Sequence, residues 1–410
     1  MRDRRRPVMT VGHAGADIEG GGDKAIQAAV EYLHRLGGGT LRIQPGVYTL
    51  HNAIHLRPGV VLEGSGEATI LRKADSFSTP LVRDSDWFEY GVRVADPSGF
   101  SPGAGIMLRY RTGPGDWQFE VLRATVVAVE GDVLFLDRLT GKDFWVERDA
   151  TAETVHPLLT AENVDDVTVK DIVLDGNRGA NGHVNGNFSG ALFIERCNRW
   201  RLENVTAKAY NGDGFSFQVC DDVQFLRCRA LDNADLGFHP GSGSQRPLFR
   251  GCTASGNSLG LYFCWAVSDG VADGCTLSGN RQFGVSIGHR DTDNVVKGCT
   301  IEGNGQVGVL FRDDGGEFRG GHRNRIEACV IRDTGAGAPG IGIDIQGATH
   351  DVTIRDTRLE STAPGRQETA IRIGAQAREI SLEDNTFVGG AKRVEDLRNG
   401  ARAPAQVAGS

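Results

Sequence analysis

Two aspartates and one histidine carry the strongest chemical signal in the sequence. Asp213 lies in the segment NGDGF, Asp235 lies in the later segment NADLGF, and His239 follows shortly after it. Two carboxyl groups held close together have different pKa values, because the negative charge of one keeps a proton on the other. The pair could therefore supply a general acid and a general base. His239 could act as a base or bind a substrate. One alternative stays open, in which each aspartate only accepts backbone N–H bonds in a glycine turn.

Around these three residues, aromatic, charged and amide side chains recur at related positions. Aromatic rings stack on sugar rings, and charged and amide groups bind the polar groups of a saccharide. Together with the three residues above, they predict an open groove that binds a saccharide. The predicted binding residues are Gln218, Tyr262, Trp265, His289, Arg290, Arg312, Asp313 and Asp344.

The segment DGNRGANGHVNGN, residues 175–187, is rich in glycine and asparagine. This composition predicts a loop, and we expect it to overhang the groove. Its titratable groups other than arginine are Asp175 and His183. The sequence assigns no chemical role to either of them.

An internal repeat positions the candidate residues. A cysteine, an asparagine and a glycine recur at fixed places, and successive cysteines are 24, 23 and 24 residues apart. The repeated residues are Cys228, Cys252, Cys275 and Cys299; Asn233, Asn257, Asn280 and Asn304; and Gly237, Gly260, Gly284 and Gly308. This period predicts the coils of a parallel β-helix, in which equivalent residues stack about 4.8 Å apart. The asparagines are then expected to form a hydrogen-bonded ladder and the cysteines an inward stack.

Strand alternation predicts which side chains face the groove, because successive side chains of a strand point to opposite faces. Counting from each repeat glycine, the first and third residues are apolar and are predicted to face inward. The second, fourth and fifth are predicted to line the outer face or its edge. These outer columns contain His239, Tyr262, Trp265 and Arg312. The candidate residues of neighbouring coils are therefore predicted to share one surface.

Two segments depart from the repeat. An apolar stripe within residues 23–35 predicts an amphipathic helix that caps the first coil, with Asp23 as its N-cap. From 76 to 160 the period fails, and alternating strands predict an inserted antiparallel β-domain. Three of the five tryptophans lie there, where they would either stack on sugars or form a small core: Trp87, Trp117 and Trp145.

The segments IQAA, GGTL, PGVY and GVVLEG, between residues 12 and 75, resemble the N-terminal signature of the pectate-lyase superfamily. The resemblance implies a right-handed parallel β-helix and a carbohydrate-active protein. The order of Asn211-Gly212-Asp213, Asn233-Ala234-Asp235, GVSIGHR and Arg312 is also similar to the polygalacturonase pattern, although the paired aspartates, the histidine between glycines and the lysine of that pattern are missing. For a pectate-lyase-type site, Asp344 and Arg372 are the nearest match.

Composition excludes several classes of protein. Glycine accounts for 57 of the 410 residues but proline for only 13, which excludes collagen and Pro/Gly-rich disorder. The net charge of −8 argues against a nucleic-acid partner. No run of about 18 apolar residues predicts a membrane span, and the N-terminus lacks the apolar region of a secretory signal. We therefore expect a cytoplasmic protein or a secreted or periplasmic protein whose signal has been removed.

These observations predict an all-β protein: a right-handed parallel β-helix with an N-terminal cap helix and a small inserted antiparallel β-domain. The expected segments are a disordered tail at 1–11, the cap helix and first coils at 12–75, the insertion at 76–160, the groove-bearing repeats at 161–395, and a disordered tail at 396–410.

The predicted function is a glycoside hydrolase that acts on an oligo- or polysaccharide, with Asp213, Asp235 and His239 as catalytic residues. The alternatives are a polysaccharide lyase, another β-helix glycan enzyme such as an epimerase or fructan transferase, and a non-catalytic, tailspike-like glycan-binding module. No metal or cofactor is expected, except Ca²⁺ if the protein is a lyase. A monomer and a homo-oligomer, including a trimer, are both left open.

Overall fold

The computed structural model describes residues 6–115, 117–335, 340–363 and 365–398. Three sheets make up the fold, and two of them consist of parallel strands stacked coil upon coil. We call the sheet that carries the candidate residues the groove sheet. Its 11 strands are Ile54–His55, Leu159–Glu162, Gly190–Glu195, Asp213–Gln218, Leu236–Gly241, Leu259–Tyr262, Phe283–Ile287, Val307–Phe311, Ile341–Ile345, Thr369–Ile373 and Lys392–Asp396.

The back sheet contains 22 strands and closes the other sides of the coils. Most coils contribute two short strands to it, one before and one after the repeat cysteine. The strands are Val8–Gly12, Ile18–Glu19, Gly39–Ile43, Gly46–Leu50, Val60–Glu63, Thr69–Lys73, Thr168–Asp175, Arg201–Lys208, Gln224–Leu226, Arg229–Leu231, Leu248–Arg250, Thr253–Ser255, Val271–Asp273, Thr276–Ser278, Val295–Lys297, Thr300–Glu302, Arg325–Glu327, Val330–Arg332, His350–Arg355, Arg358–Ser361, Arg378–Glu383 and Thr386–Gly389.

Helical structure is sparse in the described residues. One α-helix, Asp23–Arg35, is accompanied by short 3₁₀ turns at Gly66–Ala68, Val146–Arg148, Arg178–Ala180 and Glu317–Arg319. No helix in the described part of the chain is long and apolar enough to cross a membrane. The architecture confirms the predicted parallel β-helix.

Stacked identical side chains form the predicted interior. The repeat cysteines are buried and free, like the other cysteines of the chain. The asparagines form the expected ladder: Nδ2 of Asn233 donates to Oδ1 of Asn257 over 2.9 Å, and the same oxygen accepts the backbone N–H of Asn233 over 3.0 Å. The ladder continues through Asn280 to Asn304. Each asparagine thus satisfies polar groups of the neighbouring coil inside the core.

The N-terminal end is capped as predicted, with two differences. The apolar stripe of the helix is fully buried. However, Gly22 occupies the N-cap position, and Asp23 is already helical, with Oδ1 accepting the backbone N–H of His51. The strand Val8–Gly12 also begins inside the segment predicted to be a disordered tail, because it pairs with Gly39–Ile43 and buries Val11 in the core. Residues 1–5 and 399–410 of the predicted tails lie outside the described residues.

The insertion forms a six-stranded antiparallel sheet with its own hydrophobic core. Its strands are Ser78–Pro80, Gly91–Arg93, Gly105–Arg111, Phe119–Glu130, Val133–Leu136 and Thr151–Glu153. The core contains Leu108, Val126 and Phe144. Trp87 and Trp117 are exposed instead of contributing to that core.

Two arginines of the insertion bind the segment 176–189, which we call the overhanging loop. Nη1 of Arg109 donates to the carbonyl oxygen of His183 over 2.9 Å, and Nη1 of Arg123 donates to that of Phe188 over 2.9 Å. A buried carboxylate, Glu153, pairs with Arg109 and orients it. The insertion therefore fixes the position of a loop that belongs to the β-helix.

We expect Asn257→Ala to lower the free energy of unfolding by roughly 2–4 kcal/mol, because it leaves the buried N–H groups of Asn233 without their acceptor. Chemical denaturation measures the change. The exposed Asn187, replaced by alanine, is the control and should shift stability by less than about 0.5 kcal/mol. Equal stability of the Asn257 variant and the wild type would contradict the structural role of the ladder.

We expect Arg109→Ala to increase amide hydrogen exchange in residues 182–189 at least about tenfold, because the loop loses an anchor worth about one charged hydrogen bond. Mass spectrometry of the exchanged protein measures this directly. Arg93→Ala is the matched control, since Arg93 forms an exposed ion pair with Asp132 in the same domain. Unchanged exchange in the loop of the Arg109 variant would show that the insertion does not hold it.

Candidate active site

A groove of about 660 Å³ lies on the groove sheet, below the overhanging loop and next to the insertion. The three candidate catalytic residues all line it. Two of the aromatic residues predicted to bind substrate, Tyr262 and Trp265, also line it, and the insertion contributes Trp117. The lining residues are Trp117, Asn185, Gly186, Asn187, Glu195, Asp213, Gln218, Val219, Asp235, Leu236, His239, Ser242, Ser258, Tyr262, Cys264 and Trp265.

Strand register brings the predicted column together. Ser216 pairs with His239 in adjacent coils, and Tyr262 pairs with Ser286. The column continues through Leu310 to Asp344. The spacing in the sequence therefore predicts the alignment of these residues correctly.

Asp213 and His239 form a buried ion pair. Nδ1 of His239 lies 2.7 Å from Oδ2 of Asp213, and neither side chain is more than 4% exposed. The other oxygen of Asp213 accepts the backbone N–H of Leu236 over 3.0 Å. The partner of Asp213 is thus His239, and not Asp235 as the sequence suggested, because the carboxylate lies beneath the groove surface at the start of its strand.

The electrostatics of the pair keep a proton on the imidazole. Burial alone would lower the pKa of His239, but the charge and the hydrogen bond of Asp213 outweigh it and raise the pKa to about 10. Burial raises the pKa of Asp213, against the lowering effect of His239. At neutral pH, His239 is therefore a cation that can donate a proton.

The second nitrogen of the imidazole is available for chemistry. Among the described residues, Nε2 of His239 is buried and has no hydrogen-bond partner. The Tyr262 ring stands edge-on to the imidazole, with 5.6 Å between the ring centroids. The thiol of Cys264 helps to raise the pKa of His239 but does not meet the geometry of a hydrogen bond to Nε2. A buried N–H without a partner is costly, so Nε2 is suited to receive a ligand.

Asp235 lies at the edge of the same groove in a different environment. Its Oδ2 is 2.8 Å from Nε2 of His183, and its side chain is 27% exposed. His183 belongs to the overhanging loop, whose approach to the groove the sequence predicted without assigning it this contact. The charge of Asp235 also raises the pKa of Asp213, so the two carboxyl groups are near neighbours. Asp235 combines access to solvent with a fixed orientation.

Gly186 explains how the loop closes over Asp213. A Cβ atom at this position would lie 1.7 Å from Oδ2 of Asp213, so only glycine allows the approach. The carbonyl oxygen of Gly186 also accepts a hydrogen bond from Oγ of Ser216 over 2.7 Å. The loop thereby shields the ion pair from water.

A recurring turn exposes the aromatic side of the groove. Val219, Ser242, Trp265 and His289 occupy the fifth position of successive coils, and all have left-handed φ angles between 29° and 59°. This conformation is uncommon for non-glycine residues in general, but it recurs at turns throughout the described coils of this chain. It turns the Trp265 indole outward, where it is 48% exposed and stacks on the His289 ring at 4.8 Å.

Arg312 lies against the predicted outer column, but only 13% of its side chain is exposed and it is not among the described lining residues of the groove. Its guanidinium lies 4.3 Å from the centre of the Tyr262 ring. It also donates to Oδ2 of Asp291, to Oγ of Ser286 and to the carbonyl oxygen of Phe263. These contacts occupy most of its N–H groups. Arg312 therefore supports the Tyr262 ring from below.

The other predicted binding residues are not brought together in one place. Gln218 lines the groove and donates to Oγ of Ser216. Asp344 is buried and pairs with Arg372 on the next coil, while Arg290 and Asp313 are exposed and do not belong to the described lining of the groove. Coils beyond Trp265 therefore contribute less to the groove than the columns of the sequence suggested.

The sequence does not predict the contribution of Glu195 to the groove, and it predicts the overhanging loop without singling out Asn185. It leaves two alternatives open for Trp117. Glu195 ends a strand of a coil in which the repeat is weak, and Asn185 lies in an irregular loop. The tryptophans of the insertion do indicate sugar binding, but the sequence does not show which of the three contacts the groove. Only the folded insertion shows that Trp117 reaches the groove.

One group of side chains in the described chain has the composition of a metal site. The possible ligand atoms of His350, Asp351 and Glu379 lie within 4.8 Å of one another on the back sheet. Asp351 and Glu379 are exposed, and Nδ1 of His350 is already 2.7 Å from Oδ2 of Asp351. The Ca²⁺ expected for a lyase remains a prediction.

Comparison with known proteins identifies the fold. A family model described as the right handed beta helix region matches residues 161–317 and 264–401, which together cover more than half of the chain. No curated protein matches the sequence.

Among solved structures, the chain is similar to the A-module of the mannuronan C-5 epimerase AlgE4 of Azotobacter vinelandii, with 16% identity, a TM-score of 0.58, and coverage of 95% of this chain and 100% of that one. It is similar to the surface protein and adhesin PfbA of Streptococcus pneumoniae, with 12% identity, a TM-score of 0.55, and coverage of 91% and 95%. It is also similar to an endo-xylogalacturonan hydrolase of Aspergillus tubingensis, with 14% identity, a TM-score of 0.54, and coverage of 95% of both chains.

These three proteins include an epimerase, an adhesin and a hydrolase, and at such low identity the similarity concerns the fold alone. The fold similarity agrees with the stacked parallel sheets, and the family description agrees with the right-handedness that the N-terminal signature implied. The chain therefore belongs to the right-handed β-helix family, which is the fold that the resemblance to the pectate-lyase superfamily implied.

Proposed function

We propose that the protein is a glycoside hydrolase that binds an oligo- or polysaccharide in the groove and cleaves it by acid–base catalysis. The observation that carries the proposal is the imidazole of His239, which is buried, held by a carboxylate at Nδ1 and, within the part of the chain that the structure describes, unpartnered at Nε2. A protonated donor of this kind suits the leaving oxygen of a glycosidic bond.

The remaining residues fit the two halves of the reaction. Asp235, partly exposed and oriented by His183, removes a proton from the attacking water. The water oxygen bonds to the anomeric carbon, the carbon–oxygen bond of the leaving group breaks, and that oxygen takes the proton from Nε2 of His239. Asp213 lies behind the imidazole and acts as a positioning residue that also keeps it charged.

The edge-on contact between Tyr262 and His239 supports a second candidate, a lyase or epimerase acting on a uronate. Burial raises the pKa of Tyr262, so its phenol stays protonated and could donate a proton opposite a base. Product analysis separates the candidates. A hydrolase creates a new reducing end, a lyase an unsaturated product that absorbs in the ultraviolet, an epimerase an altered sugar in an intact chain, and a binding module no product.

We expect His239→Ala and Asp235→Asn each to lower turnover at least ~10²-fold, because each removes one proton-transfer group. The measurement is the release of reducing ends from a panel of glycans. His34→Ala, on the exposed face of the cap helix, is the matched control and should retain full activity. Wild-type turnover in the His239 variant would contradict the proposed site, whatever the substrate.

The pH profile tests the role of Asp213. With the pKa of His239 near 10, we expect kcat/KM to fall on the alkaline side only as pH approaches that value. In Asp213→Asn the negative charge beside His239 is lost, and burial then dominates. The pKa of His239 therefore drops below about 6.5, and the fall of kcat/KM on the alkaline side moves to lower pH. An alkaline limb that stays in place in the variant would show that Asp213 does not set the charge of His239.

A further inference from the structure

We propose that the groove selects an uncharged glycan chain, held between Trp265 of the β-helix and Trp117 of the insertion. The inference rests on the proposed function, since it names the substrate class of the same site. It goes further by assigning the insertion a part in substrate binding. Three observations support it: the charges of the lining, the occupation of the nearby arginines, and the placement of the aromatic rings.

The charged side chains among the described lining residues are three carboxylates and one imidazole. The charge of Asp213 is balanced by His239, which leaves Glu195 and Asp235 as the other acidic groups of the lining. Their present partners lie outside the described lining: Arg196 is 3.0 Å from Glu195, and His183 is 2.8 Å from Asp235. A uronate or sulfate on the substrate would stand close to these carboxylates and would compete with them for their partners, which is unfavourable for a second negative charge. An uncharged sugar meets no such barrier.

Two arginines that adjoin the groove, Arg312 and Arg123, are held by contacts within the fold, and a third, Arg196, is 53% exposed and pairs with Glu195 over 3.0 Å. Arg312 lies under Tyr262 and binds Asp291 within the core. Arg123 binds the carbonyl oxygen of Phe188, lies 3.6 Å from Glu195 and stands 4.1 Å from the centre of the Phe193 ring. Pulling the Arg312 guanidinium toward an acidic sugar would leave the buried Asp291 unsatisfied, and pulling Arg123 would break its hydrogen bond to the overhanging loop.

The other polar groups of the lining suit the hydroxyls of a neutral sugar. They are amides and hydroxyls, which can donate or accept hydrogen bonds without net charge. They occur on the overhanging loop and on successive coils, so they follow the length of the groove. They are Asn185, Asn187, Gln218, Ser242 and Ser258.

Two exposed indoles complete the site. Trp265 and Trp117 are 48% and 55% exposed, although both line the groove. Large exposed aromatic surfaces that border a polar cleft mark binding sites, and aromatic rings stack on the apolar faces of sugars whatever the charge of the chain. Trp87, on the same insertion, is 59% exposed but is not among the described lining residues, which makes it a matched control.

The test compares neutral and acidic chains of equal length by isothermal titration calorimetry, at low and at high NaCl concentration. The neutral probes are xylo-, manno-, cello- and fructo-oligosaccharides, and the acidic probes are oligogalacturonates and alginate oligomers. We expect at least one neutral chain to bind with an affinity that salt does not change. Tighter binding of an acidic chain, with an affinity that falls as NaCl rises, would overturn the proposal.

Variants test the two halves of the proposal separately. Trp117→Ala should weaken binding of the neutral chain about five- to tenfold, the effect of losing one aromatic stacking contact, while Trp87→Ala leaves it unchanged. Asn187→Lys adds a cation to the lining and should create binding of oligogalacturonate. Wild-type affinity of the Trp117 variant for the neutral chain would show that the insertion takes no part in substrate binding. Failure of the Asn187 variant to bind oligogalacturonate would contradict the electrostatic argument.

Product analysis on the same samples keeps this inference separate from the proposed function. Hydrolysis of an acidic chain in preference to all neutral chains would contradict the selectivity for uncharged glycans but would support the proposed hydrolase activity. Binding of a neutral chain without any product would leave the selectivity standing and overturn the hydrolase. If no probe of either kind binds, both are overturned.

Discussion

The constraint on which this structure depends is the stacking of one coil on the next in fixed register. Backbone pairing alone would allow neighbouring strands to slip relative to each other. The asparagine ladder prevents this slip, because Oδ1 of Asn257 accepts hydrogen bonds from both the backbone N–H and the side-chain amide of Asn233 in the preceding coil. A slip of one residue would also turn every inward side chain toward solvent. The fixed register therefore brings His239, Tyr262 and Ser286 into one column of the groove sheet.

That register makes possible the buried ion pair between Asp213 and His239, which come from successive coils. A buried ion pair contributes little net stability, since the loss of hydration offsets the attraction between the charges. Its effect here is to fix the orientation and the charge of the imidazole, while Gly186 allows the overhanging loop to exclude water from the pair. The site thus depends on a close approach that any larger residue would prevent.

The sequence predicts the periodic part of the molecule well and its long-range polar contacts poorly. The coils, the asparagine ladder and the cap helix follow from residue spacing, because each depends on local pattern. The pairing of Asp235 with His183 does not, since the two are 52 positions apart and one belongs to an irregular loop. Arg312 was predicted to be outward from its strand position, yet its long side chain bends beneath Tyr262, which alternation alone does not reveal.

The insertion changes what the β-helix can bind. One face of a parallel sheet is too open to surround a ligand, whereas pockets that bind small molecules bury most of the ligand surface. The insertion supplies a wall that carries Trp117, and through Arg109 it fixes the loop that carries His183. Because Arg123 and Arg312 are held by contacts within the fold, the network that stiffens the groove also keeps these two cations from turning toward a ligand. The rigidity of the groove and the proposed preference for a neutral ligand then both follow from the same arginine contacts.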